Sequence, residues 1–249
     1  DSLSFPKSDD ILMALLLKRK RIIHKAKNKE GVFRNILKQR YEEKGNLKYT
    51  LVYVPEGNKP DDTSDVFDTS DIIGDDDTSR HLIDQYTDIV KGISNTTTVC
   101  EFTSSSKNRD KILCDFANGD LEVLTSMKCL DEGVNIPKIK TAFILASTNN
   151  PKEYIQRRGR VLRLAEGKDY AEIYDFITLP RKLDEVTGIT EEQMKRELTL
   201  VKNELCRAEE FARIALNSVT ASAIIDDIRT AYDLQDYIIN YEEEFTYGE

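Results

Sequence analysis

The feature that most restricts what this chain can fold into is an alternation of period. Between residues 49 and 177, short β-rich apolar runs give way repeatedly to stretches with helical spacing. The runs cover 49–54, 97–102, 121–125, 141–146 and 170–177, and helical patterns lie over 79–91, 107–117, 127–132 and 151–164. Nearly continuous apolar strands separated by helices predict βαβ units, a parallel sheet covered on both faces. The expected fold class is therefore α/β, a doubly wound parallel sheet.

The flanks differ from this centre. From Asp9 to about Lys44 apolar residues recur in pairs at helical spacing, so a long N-terminal helix, or two stacked ones with Gly31 as the break, leads into the sheet. Residues 57–79 are rich in Asp, Ser and Thr with almost no apolar pattern and read as an acidic loop. Beyond Pro180, residues 191–216 and 220–239 carry two helical patterns without strands, a helical extension expected to pack on the α/β core. The expected segments are 1–48, 49–182 and 183–249.

Charge is distributed as unevenly as structure. The net value of -9 conceals 13 basic against 6 acidic side chains in 1–48, nine acids against one lysine in 56–79, and 14 acids against 6 bases from 190 onward. An acidic total therefore does not argue against a polyanion-binding surface. Two histidines leave little room for a His-built metal site or a Ser-His-Asp triad. Cys100, Cys114, Cys129 and Cys206 form no C-x-x-C pair and sit in apolar patterns, so buried free thiols of an intracellular protein are expected. No apolar run approaches the roughly 20 residues that span a bilayer, and the first residues lack a signal-peptide pattern.

In doubly wound sheets ligands sit beyond the carboxyl ends of the strands, and two segments there carry unusual residues. In 124–137, Ser126 and Lys128 lie just past a strand, where a hydroxyl and an ammonium can meet a phosphate. Gly133 permits a turn or a close approach, and Asn135 adds a short polar side chain before Pro137; a plain turn explains the Gly and Pro equally well. In 149–163, Pro151 suits a helix start, and Gln156, Arg160 and Arg163 recur at i, i+4 and i+7, with Arg157 and Arg158 on the flanks. Four arginines in seven residues include no carboxylate, which calls for an anion brought from outside, and each guanidinium fork matches phosphate oxygens. Gly159 inside the helix suggests a close approach by a backbone or ligand, while Tyr154, Ile155, Val161 and Leu162 are expected to pin the other faces.

CLDEGVNIP at 129–137 and QRRGRVLR at 156–163, nineteen positions apart, resemble motifs V and VI of superfamily II helicases. The branch holding transcription-repair helicases and the motors of restriction and phage-defence enzymes looks most similar. Residues 49–54 would be the motif IV strand, and 102–116, with Arg109 and Phe116, is similar to the segment before motif V. The resemblance implies the second RecA-like domain of such a motor. No G-x-x-x-x-G-K-[ST] occurs in the chain, and Asp131-Glu132 fits motif V rather than a metal-binding carboxylate pair. ATP and Mg²⁺ would thus be held mainly by an N-terminal RecA-like domain, and this stretch alone would not hydrolyse ATP.

Carried over by residue, the resemblance makes Arg160 and Arg163 arginine fingers and places Gln156 near the γ-phosphate. Gly133, Asn135, Glu132 and Arg157 would approach the nucleotide, with Asn135 replacing the usual Asp. Thr103, Ser104, Ser126 and Lys128 would contact the DNA or RNA sugar-phosphate backbone. The implied function is that of an ATP-dependent helicase or translocase. An alternative stays open: a non-catalytic module using the same arginine stripe to bind nucleic acid or an acidic protein.

Overall fold

The computed structural model describes residues 26–54, 82–103, 105–127, 138–145 and 151–237, with Ile23 and Ile136 as isolated positions. The elements run α1 (Lys27–Lys44), β1 (Thr50–Tyr53), α2 (Leu82–Lys91), β2 (Val99–Phe102), α3 (Arg109–Asn118) and β3 (Val123–Ser126). They continue with β4 (Thr141–Ile144), α4 (Pro151–Val161), β5 (Glu172–Asp175), a 3-10 turn at Leu183–Gly188, α5 (Glu191–Arg213) and α6 (Ser218–Ala231). The chain divides into two compact units, one comprising 1–146 and 161–174, the other 147–160 and 175–249.

The first unit holds the expected doubly wound α/β sheet, with strand order β2-β3-β1-β4-β5. β1 pairs in parallel with β3 and β4, and β2 in parallel with β3. Starting from β1 the chain builds one side of the sheet and then crosses to the other, so the reversal of direction lies at β1. The ligand crevice of such a sheet lies beyond the strand ends there. Burial follows position: β1, β3 and β4 are buried throughout, whereas the edge strands β2 and β5 are only partly covered.

Helix α1 runs without interruption through Gly31 and ends at Gly45 in the left-handed region, whose N–H returns to the Tyr41 carbonyl. Phe33 and Leu37, a turn apart, are fully buried. Phe33 meets Tyr86 and Phe143 edge-on, with centroids 5.5 and 5.1 Å away, and Phe143 stacks on Tyr174. One turn beyond Leu37, Arg40 is buried too. Its guanidinium donates to Thr141 Oγ1 (2.6 Å), Tyr174 Oη (2.9 Å) and the Glu172 carboxylate, which also pairs with Lys44 at 3.1 Å. Burial pulls the Glu172 carboxyl upward, but the Lys44 hydrogen bond and the Arg40 charge outweigh it, and its pKa ends below the ordinary value.

The second unit has its own apolar core, in which Val201, Leu205 and Ala208 of α5 pack with Ile225 and Ile228 of α6 and with Val186. α5 opens on a capping box: Thr190 Oγ1 accepts from the Gln193 N–H, and the Gln193 side chain accepts from the Thr190 N–H. Within that core the fully buried Arg207 donates to Asp175 Oδ2 (2.9 Å), the Phe176 carbonyl (3.3 Å) and Glu204, which in turn accepts from the Thr178 N–H at 2.8 Å. Two of the three described thiols depart from expectation, and Cys129 lies outside the described residues. Cys206 is buried, but Cys100 is half-buried and Cys114 exposed, because both lie on elements at the margin of the sheet; all three are free thiols.

Candidate nucleotide and nucleic-acid site

Helix α4 sets the arginines. Successive helical residues are about 100° apart, so Tyr154, Arg157 and Val161 share one side, and they are only 2%, 4% and 0% exposed. Gln156 and Arg160, one turn apart, share another side, with Gln156 exposed and Arg160 half-buried. The expected stripe is shorter than the spacing suggests. α4 ends at Val161, leaving Arg163 two residues beyond it and exposed. At this end Lys168 Nζ donates to the carbonyls of Val161 and of Arg163 (2.8 Å), placing a cation where the helix dipole is negative. Burial first, then the nearby Lys140, holds the Lys168 ammonium below its usual pKa.

Three features inferred from the arginine run are corrected. Arg158 needs no anion from outside, because both its terminal nitrogens meet Glu210 Oε1, at 3.1 and 3.2 Å, and one also reaches the Glu210 carbonyl. Its guanidinium lies 5.6 Å from the Phe211 ring centre, and Phe211 packs against Tyr154 at 6.0 Å. A partner 52 residues ahead is invisible to spacing. No neighbouring backbone approaches Gly159, since a Cβ there would meet no described protein atom within 4 Å. Ile155 and Leu162 are 42% and 46% exposed, so Tyr154, Arg157 and Val161 do the pinning.

On the sheet unit, Thr103 follows β2 directly, and its N–H donates to Ser106 Oγ at 2.8 Å in a tight turn. Ser106 Oγ in turn donates to the Glu101 carbonyl. Ser126, at the end of β3, is fully buried, and its hydroxyl donates to the carbonyls of Phe102 (3.0 Å) and Met127 (2.9 Å). Arg109, at the start of α3, lies 4.6 Å from the Phe102 ring centre, and the buried Phe116 meets Tyr49 edge-on. These contacts give packing roles to both Arg109 and Phe116. Ser104, Lys128, Glu132, Gly133 and Asn135 lie outside the described residues. Among the described residues no group of three His, Cys, Asp or Glu side chains converges as a metal site.

The model of the family "Helicase conserved C-terminal domain" matches residues 78–165. Three curated relatives are similar to parts of the chain. "Putative ATP-dependent helicase IRC3" of Saccharomyces cerevisiae is 39% identical over 77 residues, 30% of this chain and 11% of that protein. "DNA 3'-5' translocase XPB2" of Sulfurisphaera tokodaii is 29% identical over 65 residues, 26% of this chain and 15% of that protein. "Putative ATP-dependent helicase YeeB" of Bacillus subtilis is 24% identical over 165 residues, 61% of this chain and 27% of that protein. The chain thus spans about a quarter or less of the length of the relatives it matches.

Proposed function

We propose that the chain, whose residues 78–165 match the helicase conserved C-terminal domain, is the second motor domain of an intracellular ATP-dependent helicase or translocase acting on nucleic acid, DNA in the first instance. What carries the reading is the combination of that match with the placement of Gln156 and Arg160 side by side on α4, apart from the Arg158–Glu210 pair. ATP, held with Mg²⁺ mainly by an N-terminal RecA-like domain, supplies the phosphoryl group transferred to water. The donor set here fits that division, since guanidinium and amide groups suit phosphate oxygens.

In this reading Arg160 and Arg163 are fingers that stabilise the charge spread over the equatorial phosphate oxygens, and Gln156 orients the γ-phosphate or the attacking water. Arg157 supports the nucleotide side from its buried position. Glu132, Gly133 and Asn135 approach the ribose; Asn keeps a carbonyl acceptor there but drops the charge. Thr103, Ser104 and Lys128 grip the sugar-phosphate backbone, whereas the buried Ser126 hydroxyl, turned onto the carbonyls of Phe102 and Met127, holds the end of β3 instead. Closure on ATP shifts that grip along one strand and hydrolysis releases it.

The test is nucleic-acid-stimulated ATPase of the full-length protein carrying Arg160→Ala. A finger is worth about 10³- to 10⁵-fold in rate, so turnover should fall by about 10³-fold or more. Turnover within a few-fold of the unsubstituted protein overturns the assignment.

A further inference from the structure

We propose that Glu210 and Phe211 of α5 are positioning residues for the arginine helix, clasping one side of α4 so that Gln156 and Arg160 stand ready on another. The inference rests on the reading of Arg160 as a finger. Three observations within the second unit carry it.

The clasp grips two points a turn apart. Glu210 Oε1 accepts from both terminal nitrogens of Arg158, and the side chains of both residues are only 13% exposed. The Phe211 ring meets Tyr154, four residues earlier, and the same Arg158 guanidinium. Residues four apart on a helix lie on one face, so the contacts fix the rotation of α4 about its axis as well as its distance.

The clasp is itself rooted. One turn before Glu210, the buried Arg207 ties α5 to Asp175 and to the Phe176 carbonyl, while Glu204 holds the Thr178 N–H. Glu210 Oε2 is held by the more exposed Arg213 at 3.2 Å, which leaves Oε1 directed at Arg158. Glu210 is thus fixed from its own helix before it meets α4.

The clasped and presented faces are separate. Gln156 and Arg160 lie about 160° and 200° round the helix from Arg158, so the clasp leaves them clear while setting their direction. Misplacing a reacting group by about 1 Å can cost about 10²-fold in rate. A loosened α4 should therefore lower turnover without removing any group that touches ATP.

The experiment compares Glu210→Gln, Phe211→Leu, Arg160→Ala and the Glu210→Gln/Arg160→Ala double variant in the full-length protein. Both clasp variants are expected to lower kcat by about 10-fold, with KM for ATP within about two-fold. On the Arg160→Ala background Glu210→Gln should add less than about two-fold, because its effect passes through Arg160. Hydrogen exchange supplies a readout independent of turnover: amides of 154–161 should exchange about 10-fold faster in Glu210→Gln, with those of 123–126 unchanged. The swap Arg158→Glu/Glu210→Arg should restore both protection and kcat.

Multiplicative losses in the double variant, or unchanged kcat and exchange in both clasp variants, overturn the proposal. A dead Arg160→Ala beside a normal Glu210→Gln overturns the positioning role alone. A fully active Arg160→Ala overturns the finger reading and, with it, the catalytic part of the clasp. Should Glu210→Gln fail to fold, Phe211→Leu, which keeps the ion pair, is judged by the same outcomes.

Discussion

Replacing Arg207 by Met should destabilise the second unit by about 3–5 kcal/mol, the usual effect of removing one partner from a buried ion pair. Met fills most of the space of the arginine stem, so the loss is electrostatic rather than a cavity. It leaves the Glu204 carboxylate, 1% exposed, with the Thr178 N–H as the donor still facing it. Burial works against the Arg207 charge, but Asp175 and Glu204 outweigh it and push its pKa up, so in the unsubstituted chain the guanidinium stays charged. Adding Glu204→Leu removes the stranded charge but orphans the Thr178 N–H, which costs about 1–3 kcal/mol. The double variant should therefore fall between the single variant and the unsubstituted chain. Urea unfolding followed by circular dichroism gives the order, and at about 2–4 °C per kcal/mol for a chain of this size the single variant should melt roughly 6–20 °C lower. A single variant within about 1 kcal/mol of the unsubstituted chain, or a double variant less stable than the single, would refute the reasoning.

Acid should weaken the α1 attachment through Glu172. Its folded pKa lies below the ordinary value, so its contribution is fully present above an unfolded value of about 4.3 and is lost as pH falls through the folded one. Urea midpoints of the unsubstituted chain and Glu172→Gln should differ by a constant amount from pH 8 to about 5 and converge below about 4; a gap that widens on acidification contradicts this. Gly119→Ala should destabilise by about 1–2 kcal/mol, since it combines a left-handed backbone with a Cβ only 3.1 Å from the Tyr49 hydroxyl. Gly159→Ala should instead gain up to about 1 kcal/mol, because it is helical with open space around it; a loss in thermal unfolding would restore the close approach suggested by the sequence. Thr190→Ala removes the capping box and should lower α5 stability by about 1 kcal/mol in the same assay.

The α/β centre was legible because a parallel sheet leaves a coarse record: strands covered on both faces must be apolar throughout. β1, β3 and β4 met that condition and were found within two residues at each end. The sequence said less where structure depends on a distant partner. Nothing near Arg40 signals that a buried arginine continues the Phe33–Leu37 face, because its acceptors Thr141, Glu172 and Tyr174 lie a hundred or more residues away. The shortfall at the end of α4 is local by contrast. The pattern of 151–164 is helical by spacing, but the lysine that takes the last carbonyls follows a left-handed turn at Gly167.

The four arginines near α4 show why counting charges overstates a site. Together they look like one anion-seeking surface, yet folding gives each a separate environment. Arg157 is buried, Arg158 is neutralised by Glu210, Arg160 stays half-buried beside Gln156, and Arg163 lies beyond the helix. Only a group that reaches the phosphate can act on the transition state, so losing Arg160 should lower kcat while the fold stands. Losing Arg158 should behave like losing Glu210, loosening the helix first and slowing turnover only through Arg160. The i, i+4 pair Gln156 and Arg160 was visible from spacing alone. The clasp that aims it was not, because its two halves are joined by the fold across 52 residues.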